Sequence, residues 1–434
     1  MLPPIAAYLQ NKTVLLVGFG REGQSSYRYL RRFFPEKPLA VADKNEIAVD
    51  DPHLTVFSGA DYLSALSQFD VVLKSPGISF KNVENTGDAE ITCQVDLFLR
   101  FAPCRKVGVT GSKGKTTTST LIHLCLQEAG FDSRLIGNIG VPVFEALETV
   151  TEDSVAVIEM SSHQLEFTHA SPEAAVLTNL FEEHLEHYRG GFAGYARAKS
   201  HIGLYQGPDD LLIYNGDQGL ALFPGLSDTP AKKLAVYKDD PLPFPLQNEH
   251  LLGAHNRQDV LFARAAAAHF GVTDAQIQAA VHKYRGIEHR MEKVGTFQGI
   301  TFYNDCIATI PHAVLCAVEA LGNVDTLLVG GMDRGISYKG FEAALAESGV
   351  RNIFGLPDTG HTVVAAVRAL APEKNAVAVA DLDEAVRLAY RCTAPGKVCL
   401  LSPAASSYNV YKNFEEKGRH YKALVRKYGE GGNP

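Results

Sequence analysis

Short apolar runs, each followed by a glycine or polar turn and then by apolar positions at helical spacing, recur along the chain and group into three α/β units. Thr13-Val14-Leu15-Leu16-Val17 is a run of strand type; a glycine turn follows, and residues 24 to 34 carry helical spacing. Pro38 to Ala42 predicts a second strand ending at Asp43, and Val71-Val72-Leu73 another ending at the turn Lys74-Ser75-Pro76-Gly77. A small parallel sheet is therefore expected over residues 1–94.

A fresh start follows the Phe101-Ala102-Pro103 break. Lys106 to Thr110 predicts a strand, Gly111 to Lys115 a loop and Thr116 to Ala129 a helix. Apolar runs at 155–158, 175–177 and 211–214, with helical stretches near 193–204 and 255–269, extend this unit over residues 95–287, and the prolines from Pro241 to Pro245 read as a loop inside it. The third unit, 288–434, has strand candidates at 300–303, 326–329, 352–355 and 398–401 between Ala-rich helices, and ends in a charged helix through Lys422 to Lys427. With no internal repeat or low-complexity tract, three doubly wound α/β domains are expected.

Length agrees, since 434 residues exceed the roughly 250 to 300 at which one core stops growing. A composition of 46% hydrophobic and 21% charged residues is that of an ordinary globular protein. The net charge of −8, without a long basic run, argues against a nucleic-acid partner. No signal-peptide pattern and no apolar run of about 18 residues is present, so membrane insertion is not expected and the cytoplasm is the expected location. The seven cysteines lack CxxC spacing, and most read as core residues, without a disulfide framework or zinc site.

The candidate chemistry sits at the ends of these strands. Gly111-Ser112-Lys113-Gly114-Lys115-Thr116 lies between a strand and a helix, where backbone N–H groups close around phosphate, Lys115 reaches the terminal phosphates and Thr116 offers a hydroxyl to Mg²⁺. Its bland alternative is a glycine turn before a helix. Glu159 stands just past the run 155–158, and Thr178-Asn179 leads into Glu183-His184-Leu185-Glu186-His187 at the same sheet edge; both supply candidate metal ligands, Glu159 and His184. Gly18-Phe19-Gly20-Arg21-Glu22-Gly23 fits G-x-G-x-x-G, with Asp43 twenty residues beyond its last glycine. Alone, that layout suits a nicotinamide-dependent oxidoreductase; the second nucleotide loop suggests instead one nucleotide for energy and one belonging to the substrate. A non-catalytic nucleotide-binding protein is the other rival.

At this point the chain resembles the Mur ligases of peptidoglycan synthesis, and within them the MurD-type, glutamate-adding branch. The resemblance runs through Ser75-Pro76-Gly77-Ile78, Thr110 to Thr116, Gly137-Asn138-Ile139-Gly140, Glu159 to Glu166, Gly253-Ala254-His255-Asn256, His289-Arg290-Met291-Glu292, Asp305 to Thr309 and Ser402 to Gly418. It implies three domains: an N-terminal Rossmann-like domain for the UDP of UDP-N-acetylmuramoyl-L-alanine, a central P-loop-type ATPase domain and a C-terminal Rossmann-like domain for glutamate. By resemblance, Gly20, Arg21, Glu22, Asp43, Lys44 and Ser75 surround the UDP moiety, and Asn138 and His184 the sugar-peptide side. ATP is held by Gly111 to Thr117, Asn256 and Asp259, with Arg290 and Asp305 from the third domain. One Mg²⁺ lies between Thr116 and Glu159, and a second involves His184 and Lys199, the latter as a carbamate derived from CO₂; without the resemblance Lys199 reads as a solvated surface lysine. Lys115, Glu159, His184 and Lys199 are the implied catalytic set, and Thr309, Arg334, Ser407, Tyr408 and Phe414 the implied glutamate site. The chain is expected to act as a monomer.

Several positions depart from the family pattern. Ile307 and Arg334 stand where lysines are usual, Cys306 where serine is, Lys113 where asparagine is, and Glu183 and Glu186 where aspartates are. Such a combination resembles a branch with members that add L-glutamate, so the resemblance leaves the isomer open, D-glutamate being favoured.

Overall fold

The structure, a computed structural model, describes residues 2–139, 141–251, 253–333 and 338–431. It divides into two compact units, residues 1–285 and 286–434. The first contains two sheets. One comprises β1 (Val14–Val17), β2 (Leu39–Asp43), β3 (Leu54–Ser58), β4 (Val71–Lys74) and β5 (Glu90–Thr92), parallel in the order β3-β2-β1-β4-β5. The other comprises β6 (Arg105–Thr110), β7 (Asp132–Gly137), β8 (Ser154–Glu159), β9 (Ala174–Leu177), β10 (Leu211–Asn215) and β11 (Lys232–Val236), parallel in the order β11-β10-β9-β6-β8-β7.

Every residue of β1, β4, β8 and β9 is buried, because helices cover both faces of a parallel sheet. One apolar cluster runs from Leu16, Val41 and Leu73 through Phe98 and Leu99 to Ile136, Ile158 and Leu177, so the two sheets share a core. Connections leave the central strands in opposite directions, which opens crevices beyond the carboxyl ends of β1 and β4 and of β6, β8 and β9.

The second unit is built on β12 (Glu292–Phe297), β13 (Ile300–Asn304), β14 (Val324–Val329), β15 (Asn352–Gly355), β16 (Asn375–Ala378) and β17 (Val398–Leu401), in the order β12-β13-β17-β14-β15-β16. Only β12 is antiparallel to its neighbour. Its core has two halves, around Phe302, Phe354 and Tyr421 and around Leu327, Val329 and Ile353, as expected for a sheet covered on both sides.

Five of the seven cysteines are buried, Cys392 is half-buried and Cys316 exposed, and none forms a disulfide. Among the described residues no helix is long and apolar enough to cross a membrane.

Candidate active site

Strand β6 runs into the Gly111 to Gly114 loop, from which the helix Lys115–Glu128 starts. Gly111 and Gly114 have φ of 150° and 82°, and a Cβ on either would collide, at Gly111 with the Thr178 hydroxyl and at Gly114 with the Asp259 carboxylate. Asp259, on the helix Gly253–His269, is buried beneath the loop and accepts a hydrogen bond from Thr118 Oγ1 at 3.2 Å. It therefore shapes the loop from below. Asn256 lies one turn earlier on that helix, between Ala254 and Arg257, which line a cavity of about 530 Å³ with Leu246, Leu251 and Gly253.

Two lysines, Lys115 and Lys199, are turned onto carbonyl groups of the loop. Lys115 Nζ donates to Gly111 O and Ser112 O, both at 2.9 Å. Lys199, on the helix Phe192–Leu204, is only 2% exposed, contrary to the surface position its local pattern suggests. Its Nζ donates to Gly111 O at 2.8 Å and Thr110 Oγ1 at 3.4 Å. Burial, reinforced by the charge of Lys115, holds this amine well below the usual lysine range, against the opposite pull of Glu183 and Glu159.

Glu159 closes β8 and is buried. Its Oε1 accepts from Asn138 Nδ2 at 2.7 Å, and its carbonyl accepts the Asn138 amide at 2.8 Å. The structure thus brings Asn138, expected on the substrate side, onto the candidate metal ligand. Glu159 Oε2 is buried without a hydrogen-bond partner among the described residues. A buried carboxylate oxygen left open beside a phosphate-type loop fits a divalent cation, and the Thr116 hydroxyl at the helix start is half-buried. The described residues contain no cluster of three His, Cys, Asp or Glu side chains suited to a metal.

His184 is exposed and has φ of 54°. Its ring lies 5.0 Å from that of His163, which lies 4.1 Å from His187 and stacks on Tyr188 at 5.6 Å. Burial, then the neighbouring His187 and His184, push His163 down to about 3, so it backs His184 as a neutral ring. His163 falls within the Glu159 to Glu166 motif, between Ser161 and Gln164, which form a capping box, but nothing in its position marks it as a backing ring for His184.

In the first sheet, Ser75 Oγ donates to Gly18 O at 3.1 Å, joining the turns after β1 and β4. Asp43 accepts the Phe19 amide at 2.7 Å and the Asn45 amide at 2.8 Å, so it holds the glycine turn in place. Gly20 precedes the helix Arg21–Phe33, while Arg21 and Lys44 are exposed at the crevice. Glu22 accepts from Gln164 Nε2 at 2.7 Å, and burial raises its carboxyl above the usual range. Buried Lys74 pairs with Glu166 at 3.3 Å. Both joints tie the first crevice to the segment after β8; Gln164 and Glu166 lay within the Glu159 to Glu166 motif, but nothing in their spacing marked them as joints.

In the second unit, the carboxyl ends of β13, β14 and β17 converge. Asp305 accepts from Ser402 Oγ at 2.8 Å and from the Met291 amide at 3.1 Å, yet burial pushes its carboxyl up to about 6. Arg290 beside it is exposed, and Thr309 is half-buried one short turn beyond. Ser407 is buried with a hydroxyl that has no partner among the described residues, as is Ser406. Tyr408 is exposed, and Phe414 meets His289 edge-on at 6.0 Å. Arg334 lies outside the described residues. The expected set lacked Lys417, which is buried, donates to Gly330 O at 2.9 Å and is held by burial down to about 8.

Two family models match the chain, the Mur ligase middle domain over residues 109–236 and the Mur ligase glutamate ligase domain over 289–405. Over 396 residues the chain is 34% identical to the UDP-N-acetylmuramoylalanine–D-glutamate ligase of Symbiobacterium thermophilum, covering 85% of this chain and 86% of that one. Over 458 residues it is also 34% identical to the UDP-N-acetylmuramoyl-L-alanine–L-glutamate ligase of Salinispora tropica, covering 96% and 98%. Its fold is similar to that of the MurF ligase of Thermotoga maritima in complex with ADP, with a TM-score of 0.56 at 16% identity, covering 96% of this chain and 95% of that one.

Proposed function

The chain belongs to the Mur ligase family, and we propose that it is the ATP-dependent ligase that adds glutamate to UDP-N-acetylmuramoyl-L-alanine in peptidoglycan precursor synthesis. The observation that carries this reading is the convergence at the carboxyl ends of β6 and β8. There a glycine loop presents Lys115 and Thr116, and a buried carboxylate, Glu159, keeps one oxygen open.

In this reading residues 1–94 hold the UDP moiety through Gly20, Arg21, Glu22, Asp43, Lys44 and Ser75. Residues 95–287 hold ATP on the Gly111 to Thr117 loop with Asn256 and Asp259. Residues 288–434 hold glutamate through Thr309, Arg334, Ser407, Tyr408 and Phe414, with Arg290 and Asp305 serving the nucleotide. Mg²⁺, held by Thr116 and Glu159 and in a second position by His184 and Lys199, would neutralise charge on the transferred phosphoryl group. The depressed basicity of Lys199 supports its carbamylation, since only a neutral amine attacks CO₂ and the product is an anionic oxygen ligand.

The alanyl carboxylate attacks the terminal phosphate of ATP, giving an acyl phosphate and ADP. Lys115 leaves the carbonyl oxygens of Gly111 and Ser112 to stabilise the phosphoryl charge. Asn138, fixed on Glu159, orients the substrate's peptide end. The glutamate amine then attacks the acyl carbon, and phosphate leaves as the amide forms; the protein's contribution is position and charge compensation. Both substrates are small molecules, and a cytoplasmic monomer suits this role.

D-glutamate is the favoured isomer, on the names that recur among its relatives; the L-glutamate ligase of equal identity keeps the second reading in view. The test is ADP release that requires both UDP-N-acetylmuramoyl-L-alanine and glutamate, assayed with each isomer. Dependence on D-glutamate supports the first reading and on L-glutamate the second; no release with either refutes both.

A further inference from the structure

The phosphate loop carries two lysines, and they are stored differently. Lys115 rests on carbonyl oxygens inside the loop. Lys113 points out of it: its side chain is 63% exposed and forms an ion pair with Glu183, one residue before His184.

The backbone of Lys113 is fixed while its side chain is not. Its amide donates to Asn179 Oδ1 at 2.8 Å, and its carbonyl accepts from Thr178 Oγ1 at 2.6 Å and Asn179 Nδ2 at 3.1 Å. The neighbouring Ser112 amide donates to Asn179 O at 2.9 Å, and the Ser112 hydroxyl takes the Phe181 amide at 2.9 Å. These bonds spend the Lys113 N–H on Asn179, so any contribution of this residue to a phosphate must come from its ammonium group. That group is on a long flexible stem, its root is anchored at the loop mouth, and among the described residues its ion-pair partner is the single half-buried carboxylate of Glu183, with the lysine end of the pair left open to solvent, where such pairs are weak.

We propose that Lys113 is a second, exchangeable cation for the terminal phosphates of the nucleotide, stored on Glu183 until the nucleotide arrives. The inference rests on the reading that ATP occupies the Gly111 to Thr117 loop. A bound triphosphate brings several negative charges to the loop mouth, which outweigh the single half-buried carboxylate of Glu183 in the competition for the ammonium. The exchange moves charge without moving the backbone. It also frees Glu183, whose charge already bears on Lys199.

The experiment is equilibrium binding of MgATP and of AMP to the full-length chain without the other substrates, for the wild type, Lys113→Met, Lys113→Arg and Glu183→Gln. Lys113→Met should weaken MgATP binding about tenfold, the size of one charge-assisted contact, and leave AMP binding unchanged because AMP lacks the terminal phosphates. Lys113→Arg should restore most of the loss. Glu183→Gln, which releases the stored cation, should tighten MgATP binding. Unchanged MgATP affinity in Lys113→Met overturns the proposal. So does an equal loss in Glu183→Gln, which would make the pair a clamp on the 178–184 segment. Failure of the wild type to bind MgATP would instead remove the nucleotide reading itself. Thermal melting of each variant shows whether an affinity change reflects misfolding; a loss confined to a destabilised Lys113→Met counts against the proposal.

Discussion

The carboxyl ends of the second and third sheets are built from the same strand-loop-helix units but solve opposite problems. At the second sheet the positive groups are occupied by the protein: Lys115 and Lys199 both lie on Gly111 O, and Lys113 on Glu183. At the third, the hydroxyls of Ser406 and Ser407 are buried without partners among the described residues, and Lys417 is pressed toward neutrality. An anion entering the first place displaces existing bonds, so its binding is an exchange. A ligand entering the second completes bonds that the protein leaves unmade, which costs folding stability in advance.

This contrast can be broken at several points. The largest effect is expected from Lys115→Met, which removes the displaced cation and should lower kcat/KM on the order of 10³-fold, measured by steady-state ADP release. A smaller loss would mean that Lys115 serves only to close the loop. Glu159→Gln keeps the shape and the Asn138 contact but removes the open anionic oxygen. Activity should fall about 10²-fold and the Mg²⁺ requirement should rise; an unchanged Mg²⁺ titration would refute the ligand role.

Lys417 tests the other side through pH. Its folded value of about 8 lies below the ordinary 10.5, so between these values the unfolded chain holds more protons and stability rises with pH. Between pH 8 and 10 the wild type should gain roughly 2 kcal/mol relative to Lys417→Met, read from denaturant midpoints. A parallel pair of pH profiles would show that Lys417 titrates normally. The smallest effect is expected from Ser407→Ala, about a tenfold rise in KM for glutamate with KM for ATP unchanged. A shift in KM for ATP instead would move Ser407 out of the glutamate site.

How much of this was legible in the chain follows from where each strand lies. The central strands, such as β1, β8, β14 and β17, appear as apolar runs because both of their faces are covered. The six strands missing from the sequence reading, β3, β5, β7, β11, β12 and β16, are the two edges of each sheet. Their residues are largely exposed or half-buried, as in Leu54–Ser58 and Lys232–Val236, so no apolar run announces them. The glycine loops and Glu159 were visible because each follows such a central run. Lys199 was not readable as a buried group from its own helix, since what buries it arrives from β6 and the loop 88 residues away. Gln164, Lys74 and Lys417 stayed hidden for the same reason: their partners are distant in sequence.

The joint of Gln164 with Glu22, together with that of Lys74 with Glu166, also sets a gauge. The two glycine loops of the first unit are separated by packed side chains and a shared core. A substrate anchored at one loop and reacting at the other is thereby measured for length. An analogue whose linker between nucleotide and carboxylate is shortened or extended by a few bonds fails by reach, even when both of its ends are recognised.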